Sequence, residues 1–528
     1  MRGFALGLLA LVAGIQPVHA QAEPPMTYPE TRREGVVETQ FGEAIADPWR
    51  WLENDVRADP EVADWVARQN AVTRGYLDTL PQRAWFADKL RALLSYERFG
   101  IPVKAGGRYF YTRNTGLQNQ SQLFVRKGLG GKPRLLLDPN GWAKDEATAL
   151  DDWKPSDKGK YLLYSVQDGG TDWRVLRVLD VSTGLVLADE IRWVKFTALS
   201  WVGEEGFLYS RFPEPEAGRD FHALNYNQSI WFHRIGTPQS ADVQVYASPG
   251  HREYSHAAGV TGDGRYAVVT STIGTDACCE IHVIDLARRA RDGWKARALI
   301  TGFEHDWKLV EGMGSTLWFI TNKDAPRFRL VATDLSRPDV QWRELVAQTD
   351  ETLQQGTIIG DKLVVSYLKD AASRALVLDL NGRGTRVLSL SGLGTAAGFR
   401  SEPGDPETFY SFTSFNQPSA VYRLNIATGA TSVFAQPKLA FDPAAYKVEQ
   451  LFYTSKDGTR VPMFVVRGKA IAEAKKPVPT LLYGYGGFDV SLTPGFSSGR
   501  MAWLEAGGAA AQIGEREGTA RLQPRHTT

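Results

Sequence analysis

Residues Pro479 to Pro494 read PTLLYGYGGFDVSLTP, and the placement of every other segment depends on how this stretch is read. Pro479-Thr480-Leu481-Leu482-Tyr483 is a short apolar run, long enough for one buried strand. Gly484-Tyr485-Gly486-Gly487 imposes a turn that glycine enters most easily, since φ is expected to go positive there. Residue type and spacing leave two readings open. Either this is a plain strand-turn with an aromatic plug, or a Gly-rich turn presents the Tyr485 hydroxyl as a donor at the mouth of a parallel sheet.

Upstream, Gln450 to Ser455 and Val461 to Arg467 form an expected hairpin across Lys456-Asp457-Gly458-Thr459, an x-Asp-Gly-x turn. Before it, from about Arg98 to Phe441, strand patterns dominate. Tyr109 to Arg113, Tyr161 to Ser165, Leu208 to Ser210, Tyr266 to Thr270, Leu317 to Thr321 and Leu363 to Tyr367 are rich in aromatic and β-branched residues. Turn signals such as Asp263-Gly264-Arg265 and Asn381-Gly382 separate them. Two phrases recur. One is Gly then Lys/Arg-Tyr before a strand, as in Gly159-Lys160-Tyr161 and Gly264-Arg265-Tyr266; the other ends a strand, as in Asp180-Val181-Ser182-Thr183-Gly184. This pattern suits propeller blades that stack because no blade can bury its faces alone, with a pair of β-sandwiches as the alternative.

At the other end, Pro60 to about Leu77 reads as a helix, with Asp59 as N-cap and Pro60 at the first helical position. Trp85 to Leu94 reads as a second helix. Residues 1–20 read as a secretory signal: Arg2 is the charged n-region, Phe4 to Ile15 the apolar h-region, and Val18-His19-Ala20 the cleavage site. The mature chain is therefore expected to be periplasmic or secreted, cut after Ala20. No later run reaches the roughly 18 apolar residues of a membrane span.

The chain has 528 residues, with 61 Lys and Arg against 60 Asp and Glu, so it offers no basic field for nucleic acid. Two adjacent cysteines, Cys278-Cys279, cannot staple distant segments; a vicinal disulfide or two buried thiols on a strand are the options. No Cys/His spacing suits a metal, and no cofactor is expected. His222, His233, His251, His256, His282 and His305 are read as surface or packed residues.

Tyr483-Gly484-Tyr485-Gly486-Gly487-Phe488, followed by Ser491-x-Thr493-Pro494, closely resembles the opening of the α/β-hydrolase domain of the prolyl oligopeptidase family of serine peptidases. Asp47-Pro48-Trp49-Arg50-Trp51-Leu52-Glu53 resembles that family's N-terminal arm almost residue for residue. The resemblance implies a mainly β chain, with a seven-bladed propeller flanked by a helical arm and the first part of an incomplete hydrolase domain. It implies hydrolysis of short peptides on the C-terminal side of proline. It makes Tyr485 an oxyanion-hole donor, whose loss typically costs ~10²–10³ in rate. It places Phe488 and Phe207 at the substrate. It also implies an arm that packs on the hydrolase domain. The expected divisions are 21–95 for the arm, 96–441 for the propeller, 442–508 for the start of the hydrolase domain and 509–528 for an aberrant tail. A monomer is expected.

Acyl transfer needs a nucleophile, a base and an orienting carboxylate, in the order Ser, Asp/Glu, His for this fold. Gly495-Phe496-Ser497-Ser498-Gly499 matches the Gly-x-Ser-x-Gly elbow literally, but no strand directly precedes it. No Asp follows Asp489, and the only later histidine is His526. The match is read as chance, so no catalytic nucleophile, acid or base is assigned. From Ala509 the family would continue with a strand and an Asn-x-Arg-Gly-Gly-Gly-Glu-Tyr-Gly-Glu motif. The residues present, AAAQIGEREGTARLQPRHTT, carry neither strand pattern nor core. Back-translating Gly514 to Arg521 with GC-rich codons lets a shifted frame spell nearly that motif, so a frameshift near residue 508 is expected. Three readings follow: an oligopeptidase lineage whose chain is inactive as it stands, a non-catalytic peptide-binding propeller, or a fragment without function.

Overall fold

The computed structural model describes residues 26–144, 147–169, 171–216, 223–474, 477–486 and 490–514. The signal segment, Phe488 and residues 515–528 lie outside the described residues. The chain divides into two compact units, Met1–Ala84 and Trp85–Thr528.

In the first unit, a hairpin of Val37–Gln40 with Glu43–Ala46 leads to a helix over Pro60–Leu77. The helix starts where its cap dictates. The Asp59 carboxylate accepts from the amides of Glu61 and Val62, and Pro60 needs no partner at the first helical position. The indoles of Trp51 and Trp65 donate to the Arg32 carbonyl and the Thr31 hydroxyl, tying the preceding segment to this helix.

The second unit contains seven sheets in chain order, each antiparallel and each built from consecutive strands. Blade 1 spans residues 98–137, blade 2 149–194, blade 3 200–246, blade 4 254–300, blade 5 307–346, blade 6 352–388 and blade 7 395–435. Alternating apolar residues give each blade two buried faces, and seven apolar clusters fill the seven gaps between neighbours. Phe110 meets Tyr164 between blades 1 and 2, and Leu176 meets Phe207 between blades 2 and 3. Leu208 meets Val269, Val283 meets Phe319, Leu330 meets Val365, and Val377 meets Phe412 around the ring. Tyr109 meets Phe409 and closes the circle between blades 1 and 7. This is the seven-bladed propeller, and the sandwich alternative is excluded.

Among the described residues, no strand crosses the seam between blades 7 and 1. Polar groups supplement its small apolar cluster. Buried Glu407 accepts from the Tyr109 hydroxyl at 2.6 Å and pairs with Arg423 and Lys104; Lys104 also pairs with Asp405. Burial favours a neutral Glu407, but the hydrogen bonds from Tyr109, Arg423 and Lys104 outweigh it and hold the carboxyl below its usual range.

Both cysteines are buried, as thiols rather than as a disulfide. Cys279 begins a blade 4 strand, its thiol donates to the Trp307 carbonyl, and burial pushes it up to about 11, so it is an inert thiol.

Candidate functional site

The last sheet has the order Tyr446–Thr454, Arg460–Gly468, Ala509–Ile513, Thr480–Tyr483. The predicted hairpin is present, with Gly458 at φ 82° in its turn. Thr480–Tyr483 runs parallel to Ala509–Ile513, and the helix Ser498–Glu505 connects them. A parallel pair with a crossover helix is the opening βαβ unit of an α/β sheet, in which ligands bind beyond the C-terminal strand ends. Tyr485 stands two residues past such an end and is 52% exposed.

The expectation that the chain loses strand and core from residue 509 is corrected by these strands. Ala509, Ala510 and Ala511 are buried, flanked by strands on both edges and covered by the helix. Alanine has low strand propensity, but a position enclosed on both faces asks only for small apolar side chains.

Ser497 opens the crossover helix. It is the N-cap of the helix Ser498–Glu505, its hydroxyl accepting from the Arg500 amide. The neighbouring cleft of about 280 Å³ lies among Leu481, Tyr483, Ser497, Arg500 and Gln512. Arg500 is committed there, donating to the Gly495 carbonyl at 2.7 Å and to Gln512 Oε1 at 3.1 Å. The described histidines, His233, His251, His256, His282 and His305, all lie in the propeller.

The hydrolase sheet is seated on one face of the ring. Antiparallel blades place their second-to-third-strand turns and their blade-to-blade connections on the same face. Ala371 and Phe415, from two such turns, are fully buried against Phe464, Met501 and Leu504. The Gln450 side chain donates to the Asp370 carbonyl at 2.5 Å, and the Thr395 hydroxyl to the Pro494 carbonyl at 2.7 Å. Leu93 of the second helix, Arg83–Leu94, joins the same core.

Phe207 does not face substrate and is corrected accordingly. It is 0% exposed between blades 2 and 3, packed on Trp201, Tyr209 and His233. It lies on the middle of a blade, where side chains fill the gap to the neighbouring blade. An exposed aromatic on the face that carries the hydrolase sheet is Phe196, in the connection from blade 2 to blade 3. Its φ is +49°, a conformation that costs a non-glycine residue about 1–3 kcal/mol and collects at functional sites. The available signal was position: Phe196 lies between two strand patterns, whereas Phe207 opens one.

In the gap between blades 2 and 3 lies a charged cluster that sequence reading missed. His233 Nδ1 is 2.7 Å from Asp242 and Nε2 is 2.9 Å from Asp189; the Tyr209 hydroxyl donates to Asp242 at 2.6 Å. Burial lowers the imidazole's proton affinity, but the two carboxylates overcome it and push His233 up to about 9. An imidazolium thus bonds blade 2 to blade 3. Asp189 is 44 residues from His233, a spacing that no local pattern marks.

Ring and seated hydrolase sheet together define a propeller-capped α/β-hydrolase architecture. A family model for the prolyl oligopeptidase N-terminal beta-propeller domain matches residues 28–437. The prolyl endopeptidase of Elizabethkingia meningoseptica is 36% identical over 492 residues, covering 93% of this chain and 68% of that protein. Prolyl oligopeptidase A of Amanita bisporigera is 29% identical, covering 92% of this chain and 68% of its own. Among solved structures, a prolyl endopeptidase studied for inter-domain dynamics in catalysis and specificity is 47% identical, with a TM-score of 0.70 over 93% of this chain and 70% of its own. Prolyl oligopeptidase B of Galerina marginata, bound to a 35-residue hydrolysis and macrocyclisation substrate, is 27% identical, with a TM-score of 0.83 over 94% of this chain and 72% of its own. The chain belongs to the prolyl oligopeptidase family.

Proposed function

We propose that this chain derives from a serine endopeptidase that hydrolyses short peptides after proline, and that the residues present recognise peptide without cleaving it. One observation carries the reading. The propeller face bears the opening βαβ unit of a hydrolase sheet, and Tyr485 stands exposed just past its parallel strand end. Tyr485 is the oxyanion donor in this reading, and family resemblance makes Phe488, outside the described residues, a substrate-pocket residue. Phe196 takes the place first given to Phe207, contacting peptide from the propeller side. An acyl-enzyme needs a nucleophile activated by a base. Ser497 is engaged as a helix cap, which supports reading the residues present as non-cleaving. The protein is exported, is cut after Ala20, and acts as a monomer on peptides rather than on nucleic acid or membrane.

A chimera tests this directly. Residues after Ile513 are replaced by the corresponding C-terminal part of the 36%-identical prolyl endopeptidase. The chimera is expected to release reporter from a Gly-Pro-p-nitroanilide peptide, and Tyr485→Phe in it to lower the rate by about 10²-fold or more. A folded chimera without turnover refutes the reading.

A non-catalytic propeller is the second reading, favoured by the ring's closure through its own seven interfaces. It predicts peptide binding by the chain and no turnover even by the folded chimera.

A further inference from the structure

We propose that Gln228 is a positioning residue for peptide recognition: it holds the turn that projects Phe196 toward bound peptide. The proposal rests on the reading that this propeller face receives peptide.

Gln228 is 2% exposed and lies at the end of the long connection between the second and third strands of blade 3. Its Nε2 donates to the Lys195 carbonyl at 3.0 Å and to the Phe196 carbonyl at 3.4 Å. Its Oε1 accepts from the His256 amide of blade 4 at 2.6 Å. One amide side chain therefore ties the blade 2–3 connection to blades 3 and 4, and uses both its donor and its acceptor end.

The turn is also held at its flanks and through side chains: the Lys195 ammonium donates to Asn225 Oδ1 at 3.3 Å, and the Trp193 ring packs edge-on against Trp173. The Ser210 amide donates to the Thr197 hydroxyl at 2.8 Å, and the Phe212 amide to the Trp193 carbonyl at 3.0 Å. Lys195 is buried, its ammonium 3.8 Å from the centre of the Trp173 ring. Trp193 and Phe196 both have positive φ, at 63° and 49°. Two bulky residues in the left-handed region persist only where the surroundings over-determine them. Gln228 reaches the carbonyls on either side of the second strained residue, those of Lys195 and of Phe196 itself. Without it, the turn relaxes toward ordinary φ values and Phe196 leaves its projecting position. A contact residue held in place before binding costs less ordering when peptide arrives.

The test uses the 528-residue chain with Phe196→Ala, Gln228→Ala and Gln228→Glu. Glutamate keeps an acceptor for the His256 amide but cannot donate to the two carbonyls. Two readouts are taken: hydrogen exchange at the Ser210 and Phe212 amides, and anisotropy of a fluorescein-labelled Gly-Pro-containing heptapeptide. Both Gln228 variants are expected to exchange faster at those two amides, with blade 6 amides unchanged. Each is expected to weaken peptide binding roughly fivefold, close to the effect of Phe196→Ala. If Phe196→Ala weakens binding while both Gln228 variants bind and exchange as the unaltered chain does, the positioning role is overturned and the peptide reading stands. If Phe196→Ala leaves affinity unchanged, or the chain binds no peptide, the peptide reading of this face falls and the proposal with it. If only Gln228→Ala shows the effect, donation to the carbonyls is not what holds the turn, and the proposal is overturned.

Discussion

The propeller and the hydrolase sheet are built from similar strands but differ in how their surfaces are closed. Every blade presents two apolar faces, and both meet a neighbour, so Phe110, Phe319 and Phe412 are all at or below 1% exposure. Among the described residues the hydrolase sheet has four strands, and one of its edges, Thr480–Tyr483, is open: Leu481, Leu482 and Tyr483 are each more than half exposed. Its burial comes instead from the propeller, through Ala371 and Phe415, and from the helices Arg83–Leu94 and Ser498–Glu505. Repetition makes a ring self-sufficient, whereas an unclosed sheet borrows its core from whatever it touches.

The largest effect should come from separating the two regions. Residues 96–441 expressed alone are expected to melt cooperatively and to resist trypsin; residues 442–528 alone are expected to show no cooperative transition. Cooperative folding of the second fragment would erase the distinction.

Matched core truncations sharpen it. Phe412→Ala, between blades 6 and 7, should cost about 3–5 kcal/mol of propeller stability in urea unfolding. Phe464→Ala, where the ring packs on Phe415, should expose the hydrolase sheet to proteolysis and leave the propeller transition in place.

Two pH dependences probe the ring itself. His233 has its folded-state value raised from 6.5 to about 9. The native state therefore holds its proton where the unfolded chain has released it, and this contribution, complete below pH 6.5, is lost as pH rises through about 9. The melting temperature should fall over that window, and His233→Asn should lower the melting temperature and flatten the fall. Glu407 at the seam behaves in the opposite sense. Its carboxyl is held below its usual 4.5, so its contribution is present above that value and disappears as pH drops further. Glu407→Gln should lower stability at neutral pH and reduce the acid sensitivity of the ring.

The smallest effect belongs to the open edge. Leu482→Lys should leave melting within about 0.5 kcal/mol of the unaltered chain, as surface changes usually do. It should reduce light scattering on storage, because a charge on an exposed edge strand blocks edge-to-edge pairing.

Much of this contrast was readable from residues. The cap Asp59-Pro60 located a helix correctly to its last residue, Leu77, because capping is local chemistry. Aromatic and β-branched runs located blade strands such as Tyr161–Gln167 and Tyr266–Ile273, because two-sided burial demands those side chains. The count of seven came from resemblance, since no local signal states how many blades close a ring. Ala509–Ile513 escaped detection because its strand character comes from its neighbours on both edges. At the candidate site, the glycine turn left two readings open, and Tyr485 was singled out through family resemblance. Phe196 offered only its position between two strand patterns, and Gln228 offered nothing, because left-handed backbone in a non-glycine residue and a bond across 32 residues leave no pattern in sequence.

The most direct test of the account is turnover by the 528-residue chain itself, measured beside its Ser497→Ala variant with a Gly-Pro-p-nitroanilide reporter. The account predicts no release above buffer from either protein, with Ser497 serving only as a helix cap. Release by the unaltered chain that vanishes in Ser497→Ala would make Ser497 a nucleophile and contradict it.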